Sequence, residues 1–157
     1  MKLRLLGLLL LVCALASGCG GSGNSKKDRT QFLAKANGIC DHYNQLQNQV
    51  TFPSVNPLEP GLTHVARAQW GLALKQVAQL GHAEVRALRK LDPPSDLQGG
   101  FREMVDTKQG AFDDLTRAAD AAKLNHPTKI KPPTTAGQAK LARVTTLAKK
   151  LGTPKCQ

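Results

Sequence analysis

The longest apolar run in the sequence, Leu5 to Ala16, is about a dozen residues, well short of the roughly 20 that cross a bilayer as a helix. No spanning helix is therefore predicted. Aromatic side chains are scarce, with one Trp, one Tyr and four Phe, while alanine is abundant. No stretch alternates apolar and polar residues with the β-branched bias of strands, which excludes a sheet-built fold and leaves helices. Several enzyme signatures are missing: Gly-x-Ser-x-Gly, a phosphate-binding glycine loop, and His-Glu-x-x-His. So is any Glu-x-x-His pair of the kind that builds di-iron centres, which removes the commonest catalytic use of a four-helix bundle. Met104 is the one methionine besides Met1, too few for a copper carrier. Carboxylates stop at Asp120.

What the chain does have begins with its leader. Lys2 and Arg4 precede the apolar run, and the run ends in Leu15-Ala16-Ser17-Gly18-Cys19. A basic start, a short apolar stretch and small residues make a secretion signal over residues 1–18, to be set apart from the fold. The last five residues resemble the lipobox of bacterial lipoproteins, in which the cysteine takes a diacylglycerol on its sulfur before cleavage on its N-terminal side. The resemblance implies that Cys19 becomes a lipidated N-terminus. Ala14-Leu15-Ala16 also fits the site of the general signal peptidase, which would give ordinary secretion. Cysteine arithmetic separates the two. Cys13 leaves with the signal, so general cleavage leaves an odd set of Cys19, Cys40 and Cys156, whereas lipidation of Cys19 leaves one pair. An exported compartment permits that pair, Cys40 and Cys156, to oxidise.

Two acyl chains on one residue hold stably where a single chain binds reversibly. Residues 19–27, with Gly20-Gly21-Ser22-Gly23-Asn24-Ser25 at their core, read as a flexible tether whose root-mean-square span is roughly 15 to 18 Å. The localisation implied is a cell membrane, with the domain lipid-anchored on the extracytoplasmic face.

Residues 28–157 form one domain, long enough to bury a real core. Four segments carry helical periodicity. The first should start near Asp28, with Gln31 in a capping-box position, and carries the stripe Phe32, Ala36, Ile39, Tyr43, Leu46, Val50. A proline-rich connection, Phe52 to Gly61, follows. The second runs from about Leu62 to Leu91 with Trp70, Leu74, Val77, Val85 and Leu88 inward, and Pro93-Pro94 closes it. Ser95 or Asp96 caps the third, which reaches about Leu124 with the stripe Leu97, Phe101, Val105, Phe112, Leu115, Ala119, Ala122 and one polar interruption, Lys108. Gly99-Gly100 near its start invites a kink or a late first turn. After a loop from Asn125 to Pro133, the fourth starts at Thr135 with Gln138 in a capping-box position and presents Leu141, Val144, Leu147, Ala148 and Leu151 before Gly152 and Pro154. The fold class expected is all-α, an antiparallel up-and-down four-helix bundle.

In that topology the end of the fourth helix lies beside the start of the first. Cys40 then sits roughly 12 Å along the axis from Phe32, and the tail from Gly152 to Cys156 reaches about 16 Å, so a bond from the first helix to the C-terminal tail is accessible. Free or metal-binding thiols are the lesser alternative. Three segments together, Phe32 to Cys40, Leu88-Arg89-Lys90-Leu91-Asp92-Pro93-Pro94, and Leu151 to Cys156, resemble those of a loose group of small lipoproteins from high-GC bacteria. The resemblance spans most of the mature chain, implies a helical bundle with paired cysteines, and brings no activity with it.

Candidate chemistry is thin. His42, His64, His82 and His126 fall in different segments, and none sits three or four residues from another ligand so as to form a metal face. No metal or other cofactor is expected. The pair Asp113-Asp114 reads as a solvated face of the third helix. Gly71, Gly81, Gly99 and Gly100 are places where backbones either approach closely or open a cavity for a small ligand.

Charge is the strong deviation. Without Lys2 and Arg4 the chain carries 20 basic residues against 11 acidic, a balance of +9. Beyond Asp120 come Lys123, Lys129, Lys131, Lys140, Arg143, Lys149, Lys150 and Lys155 with no carboxylate between them. One reading is solubility, with Lys149 and Lys150 complementing a helix dipole. The other is electrostatic docking, since basic side chains within a Debye length of roughly 8 Å of an anionic lipid surface contribute about 1 kcal/mol each. The expected function is a non-catalytic interaction module that presents this basic surface to anionic lipid, an acidic envelope polymer or a membrane protein. Nucleic acid is not an expected partner of an exported domain. A small-ligand carrier or sensor is the alternative.

Overall fold

The computed structural model describes residues 21–157; the leader and the proposed lipidation site at Cys19 lie outside the described residues. Four helices carry the architecture: α1 (Gly21–Asn48), α2 (His64–Leu88), α3 (Ser95–Lys123) and α4 (Lys131–Leu151), with short 3₁₀ turns at Pro127–Lys129 and Pro154–Cys156. No strand occurs among the described residues. The helices pack together as a bundle, and Cys40 of α1 is disulfide-bonded to Cys156 of the C-terminal tail.

The central helix is α3, whose stripe is buried along its length: Leu97, Phe101, Val105, Phe112, Leu115, Ala119 and Ala122 all lie in the core, with Met104, Ala111, Ala118 and Ala121 widening the face. It runs unbroken through Gly99-Gly100. On α1 the inward positions are Phe32, Ala36 and Cys40, spaced by four. Ile39 only packs against the margin of the core, and Tyr43 and Leu46 are half-buried. Trp70 and Val77 of α2 are likewise half-buried, while Leu74, Ala78, Val85 and Leu88 close the centre. Phe32 and Phe101 meet edge to face with ring centroids 4.9 Å apart, an arrangement favoured by the ring quadrupoles.

Helix ends explain where the expected boundaries move. α1 begins at Gly21, inside the segment read as a tether, because extending a helix already nucleated by packing adds one hydrogen bond per residue fixed. α2 starts one residue after Thr63, whose hydroxyl accepts the Ala66 N–H at 3.2 Å. It ends at Leu88, ahead of the prolines. Neither Ser95 nor Asp96 caps α3: Pro94 occupies that position without a side-chain cap, and Asp96 pairs with Arg29 instead. α4 starts at Lys131 rather than Thr135, since Pro132 and Pro133 fit a first turn whose N–H groups have no helical partner anyway.

Two helices end in the same motif. Gly152, at φ 83°, lets its N–H reach Lys149 O while Thr153 N–H reaches Ala148 O at 2.9 Å. Asn125, at φ 58°, does the same after α3, with His126 N–H on Ala121 O at 2.9 Å. Both are left-handed C-terminal closures, for which Gly and Asn are the natural residues. Asn125 also accepts from buried Arg67, which further donates to Pro57 O at 2.9 Å and Glu59 O at 2.7 Å. One side chain thereby ties the proline-rich connection to the end of α3.

Candidate functional site

The eight basic residues that follow Asp120 are contiguous in sequence but do not make one face. Three have carboxylate partners. Lys140 Nζ lies 2.6 Å from Asp114 Oδ2, Arg143 pairs with Glu103, and Lys155 Nζ lies 3.5 Å from Asp41 Oδ1. Lys123, Lys129, Lys131, Lys149 and Lys150 have no ion-pair partner among the described residues. These five divide between two places: Lys123, Lys129 and Lys131 flank the junction of α3 and α4, while Lys149 and Lys150 sit in the last turn of α4.

That last turn lies against the start of α3 and the middle of α1. A Cβ on Gly100 of α3 would meet Leu151 at 3.0 Å, and one on Gly152 would meet Leu33 of α1 at 3.5 Å. The Asn37 amide donates to Gly152 O. Arg29 pairs with Asp96, and Asp28 and Lys35 line a groove together with Lys90, Asp92 and Pro93. Residues 28–37 of α1, the α2–α3 connection, the start of α3 and the end of α4 therefore share one end of the bundle. Lys26, Lys35, Lys90, Arg102, Lys149 and Lys150 are exposed there and form no ion pair among the described residues. Asp28 and Asp92 are the acidic residues there without an ion-pair partner. Asp96, Asp106 and Glu103 are held by Arg29, Arg89 and Arg143. Lys35, Lys90 and Arg102 were not among the sequence candidates; only the packing of α1, α2 and α3 brings them beside Lys149 and Lys150.

Asp114 corrects a second expectation. Only Asp113 of the acidic pair is exposed; Asp114 is 0% exposed and bonded to both Arg117 and Lys140. The reason is register, because consecutive helical residues point about 100° apart, and one of the two must face α4.

The polar interruption at Lys108 is buried beside Glu84 of α2, with the two side chains 3% and 0% exposed. Lys108 Nζ also donates to Cys156 O at 3.3 Å, which ties the pair to the disulfide. Burial pushes the Glu84 carboxyl above its ordinary range, opposed by the Lys108 charge. Gln47 stands beside the same carboxylate, yet Gln47 Nε2 and Glu84 Oε2 both lack a hydrogen-bond partner. Neither Glu84 nor its pairing was visible in the sequence.

Three of the four glycines raised as cavity sites, Gly71, Gly81 and Gly100, are points of contact. A Cβ on Gly71 would stand 2.7 Å from Ala119 O, and one on Gly81 would stand 2.3 Å from the Phe112 ring. Gly99 faces open space. The grooves that do occur are open and lie at helix ends. One of about 510 Å³ lies along Leu91, Pro93, Phe101 and Arg102. Another, of about 590 Å³, is lined by Leu124, His126, Lys129, Pro132, Pro133 and Ala136. His64 contacts Lys123 O at 3.0 Å, and His82 lies between Thr116 and Gln109. Among the described residues no group of three or more His, Cys, Asp or Glu is placed to hold a metal ion, and no helix is long and apolar enough to cross a membrane. Comparison of the chain with family models, with curated proteins and with solved structures gives no match.

Proposed function

We propose that this chain is a lipoprotein of the bacterial envelope: Cys19 carries the lipid, and a non-catalytic helical domain presents a basic surface to an anionic component or a membrane protein. The reading takes the bundle as antiparallel and up-and-down. Contacts between α2 and α3 support that order, since His64 meets Lys123, Lys75 meets Asp120, and Arg89 meets Asp106. The observation that carries the functional reading is the surplus of exposed cations with no carboxylate partner, Lys129, Lys131, Lys149 and Lys150 among them. Cations held apart from counter-charges set up a positive field that attracts anionic partners.

Two measurements test it. A clickable palmitate analogue fed to cells should label the wild type and not Cys19→Ser; an unlabelled wild type would remove the anchor. Crosslinking in native membranes, followed by purification through a C-terminal tag, should then recover a partner that is lost when Lys129, Lys131, Lys149 and Lys150 are changed to glutamate.

The second reading, a small-ligand carrier, is favoured by the groove at the α3–α4 junction, where Ala121, Leu124, Pro132, Pro133 and Ala136 supply apolar lining beside Arg117, Asp120 and Lys129. A small amphipathic carboxylate fits that lining. Saturable quenching of a fluorescent fatty acid, abolished by Leu124→Asp, would support it.

A further inference from the structure

The position of the tether decides which cations can reach a membrane. α1 enters the bundle at the end that holds the α2–α3 connection and the last turn of α4, as the Arg29–Asp96 pair and the Leu33–Gly152 contact fix. Lys26 follows Cys19 by only seven positions, a reach of about 25 Å when extended and about 10 Å when helical. The opposite end is far away, because α3 has 29 residues and so runs about 43 Å at 1.5 Å per residue. Against a Debye length of roughly 8 Å, Lys123, Lys129 and Lys131 at that far end feel nothing of a charged lipid surface at the near one.

From this we infer that the near end of the bundle is a docking face for anionic lipid headgroups, with Lys35, Lys90, Arg102, Lys149 and Lys150 as its contacts. The inference rests on the lipid anchor proposed above and says how the anchored domain stands. Six exposed cations without ion-pair partners outnumber two such carboxylates, Asp28 and Asp92, at this end. The remaining acids there are neutralised within the bundle by Arg29, Arg89 and Arg143. The cations come from α1, the α2–α3 connection, α3 and α4, so the charge rings the end and does not form a stripe. A ring around the point of attachment suits a flat surface normal to the bundle axis. An acidic polymer or protein free to approach from any side has no reason to prefer the tether end. The domain therefore stands on its near end, and the α3–α4 junction points away from the membrane.

The experiment is amine acylation of the full lipidated chain, reconstituted in phosphatidylcholine vesicles with and without phosphatidylglycerol, with each lysine read by mass spectrometry. Lys35, Lys90, Lys149 and Lys150 should label about fivefold more slowly when phosphatidylglycerol is present, the factor that about 1 kcal/mol per basic residue implies. Added salt should restore their rate, and Lys123, Lys129 and Lys131 should not change. Changing Lys90, Lys149 and Lys150 to glutamate should abolish the protection of Lys35. Equal labelling in both kinds of vesicle, or protection of Lys129 and Lys131 instead, would overturn this orientation while leaving the anchor standing. A chain that fails to float with neutral vesicles would sink the anchor reading and the docking face with it.

Discussion

Lys108 of α3 donates to the Glu84 carboxylate of α2 where neither side chain reaches solvent, and the same ammonium holds the Cys156 carbonyl. A buried pair of this kind is costly to break, because the partner left behind keeps its desolvation without its counter-charge. Lys108→Met should destabilise the fold by about 3 to 5 kcal/mol in urea titrations at neutral pH. The double change Glu84→Leu with Lys108→Met should recover most of that loss, since an apolar pair of similar volume is often neutral or stabilising. A double variant as unstable as Lys108→Met alone would show that the pair contributes through its link to the C-terminal tail and not through mutual charge.

The same site gives a pH dependence. Burial raises the Glu84 pKa above its ordinary value near 4.5, with Lys108 opposing. The folded state then holds a proton that the unfolded state has already released, so the unfolded state binds fewer protons over that window. The slope of stability with pH is negative there. Stability contributed by protonated Glu84 is full below the ordinary carboxylate pKa and is lost as pH rises through the raised one. Subtracting urea midpoints of Glu84→Gln from those of wild type across this range should show the wild type losing ground as pH rises. A flat difference would mean that Lys108 compensates the ionised carboxylate in full.

The disulfide joins residues separated by 116 positions, and the chain-entropy account assigns such a loop about 4 to 5 kcal/mol. Reduction, or Cys40→Ala with Cys156→Ala, should lower the melting temperature by on the order of 15 °C. Both cysteines are fully buried, so reduction of the native protein should also be slow unless denaturant is added. Coincident melting curves for oxidised and reduced protein would remove the structural role.

Substitution of three glycines should give opposite signs by environment. Gly81→Ala drives a methyl to 2.3 Å from the Phe112 ring, and Gly71→Ala places one 2.7 Å from Ala119 O; each should cost about 1 to 3 kcal/mol by overpacking. Gly99→Ala meets nothing within 4 Å and should stabilise α3 by about 0.5 to 1 kcal/mol through helix propensity alone. Chemical denaturation of the three single variants decides this directly.

The contrast between α3 and the charged groups shows what could be read from the sequence. A 3.6-residue period is a local property, so all seven apolar positions named on α3, and Lys108 as the polar interruption between them, were legible before any contact was known. On α1 the period slipped where Cys40 took the inward place and Ile39 moved to the margin. The pairing of Lys108 with Glu84 was not legible, because it depends on the register of two helices across an intervening connection. The basic residues failed as a linear signal for the same reason. Lys140, Arg143 and Lys155 are matched by acids far away in the chain, while Lys35 and Lys90 join Lys149 and Lys150 only through packing.

Asp114 tests how far that pairing across α3 and α4 sustains the bundle. Its carboxylate is fully buried, with Lys140 on one oxygen and Arg117 on the other, and a Cβ on Gly137 of α4 would stand 3.4 Å from its Cβ and 3.2 Å from Ala111 O. Asp114→Asn keeps the shape but loses the charge, and hydrogen bonds to charged groups contribute about 1.5 to 3 kcal/mol. Lys140 is 42% exposed and Arg117 is 68% exposed, so both can turn to water when the carboxylate is gone, which places the expected cost at the lower end, about 1.5 kcal/mol. Lys140→Met should cost less than Asp114→Asn, since Arg117 still satisfies the buried acid. If Lys140→Met proves the more damaging, the carboxylate depends on Lys140 alone, and the exposed Arg117 contributes nothing measurable.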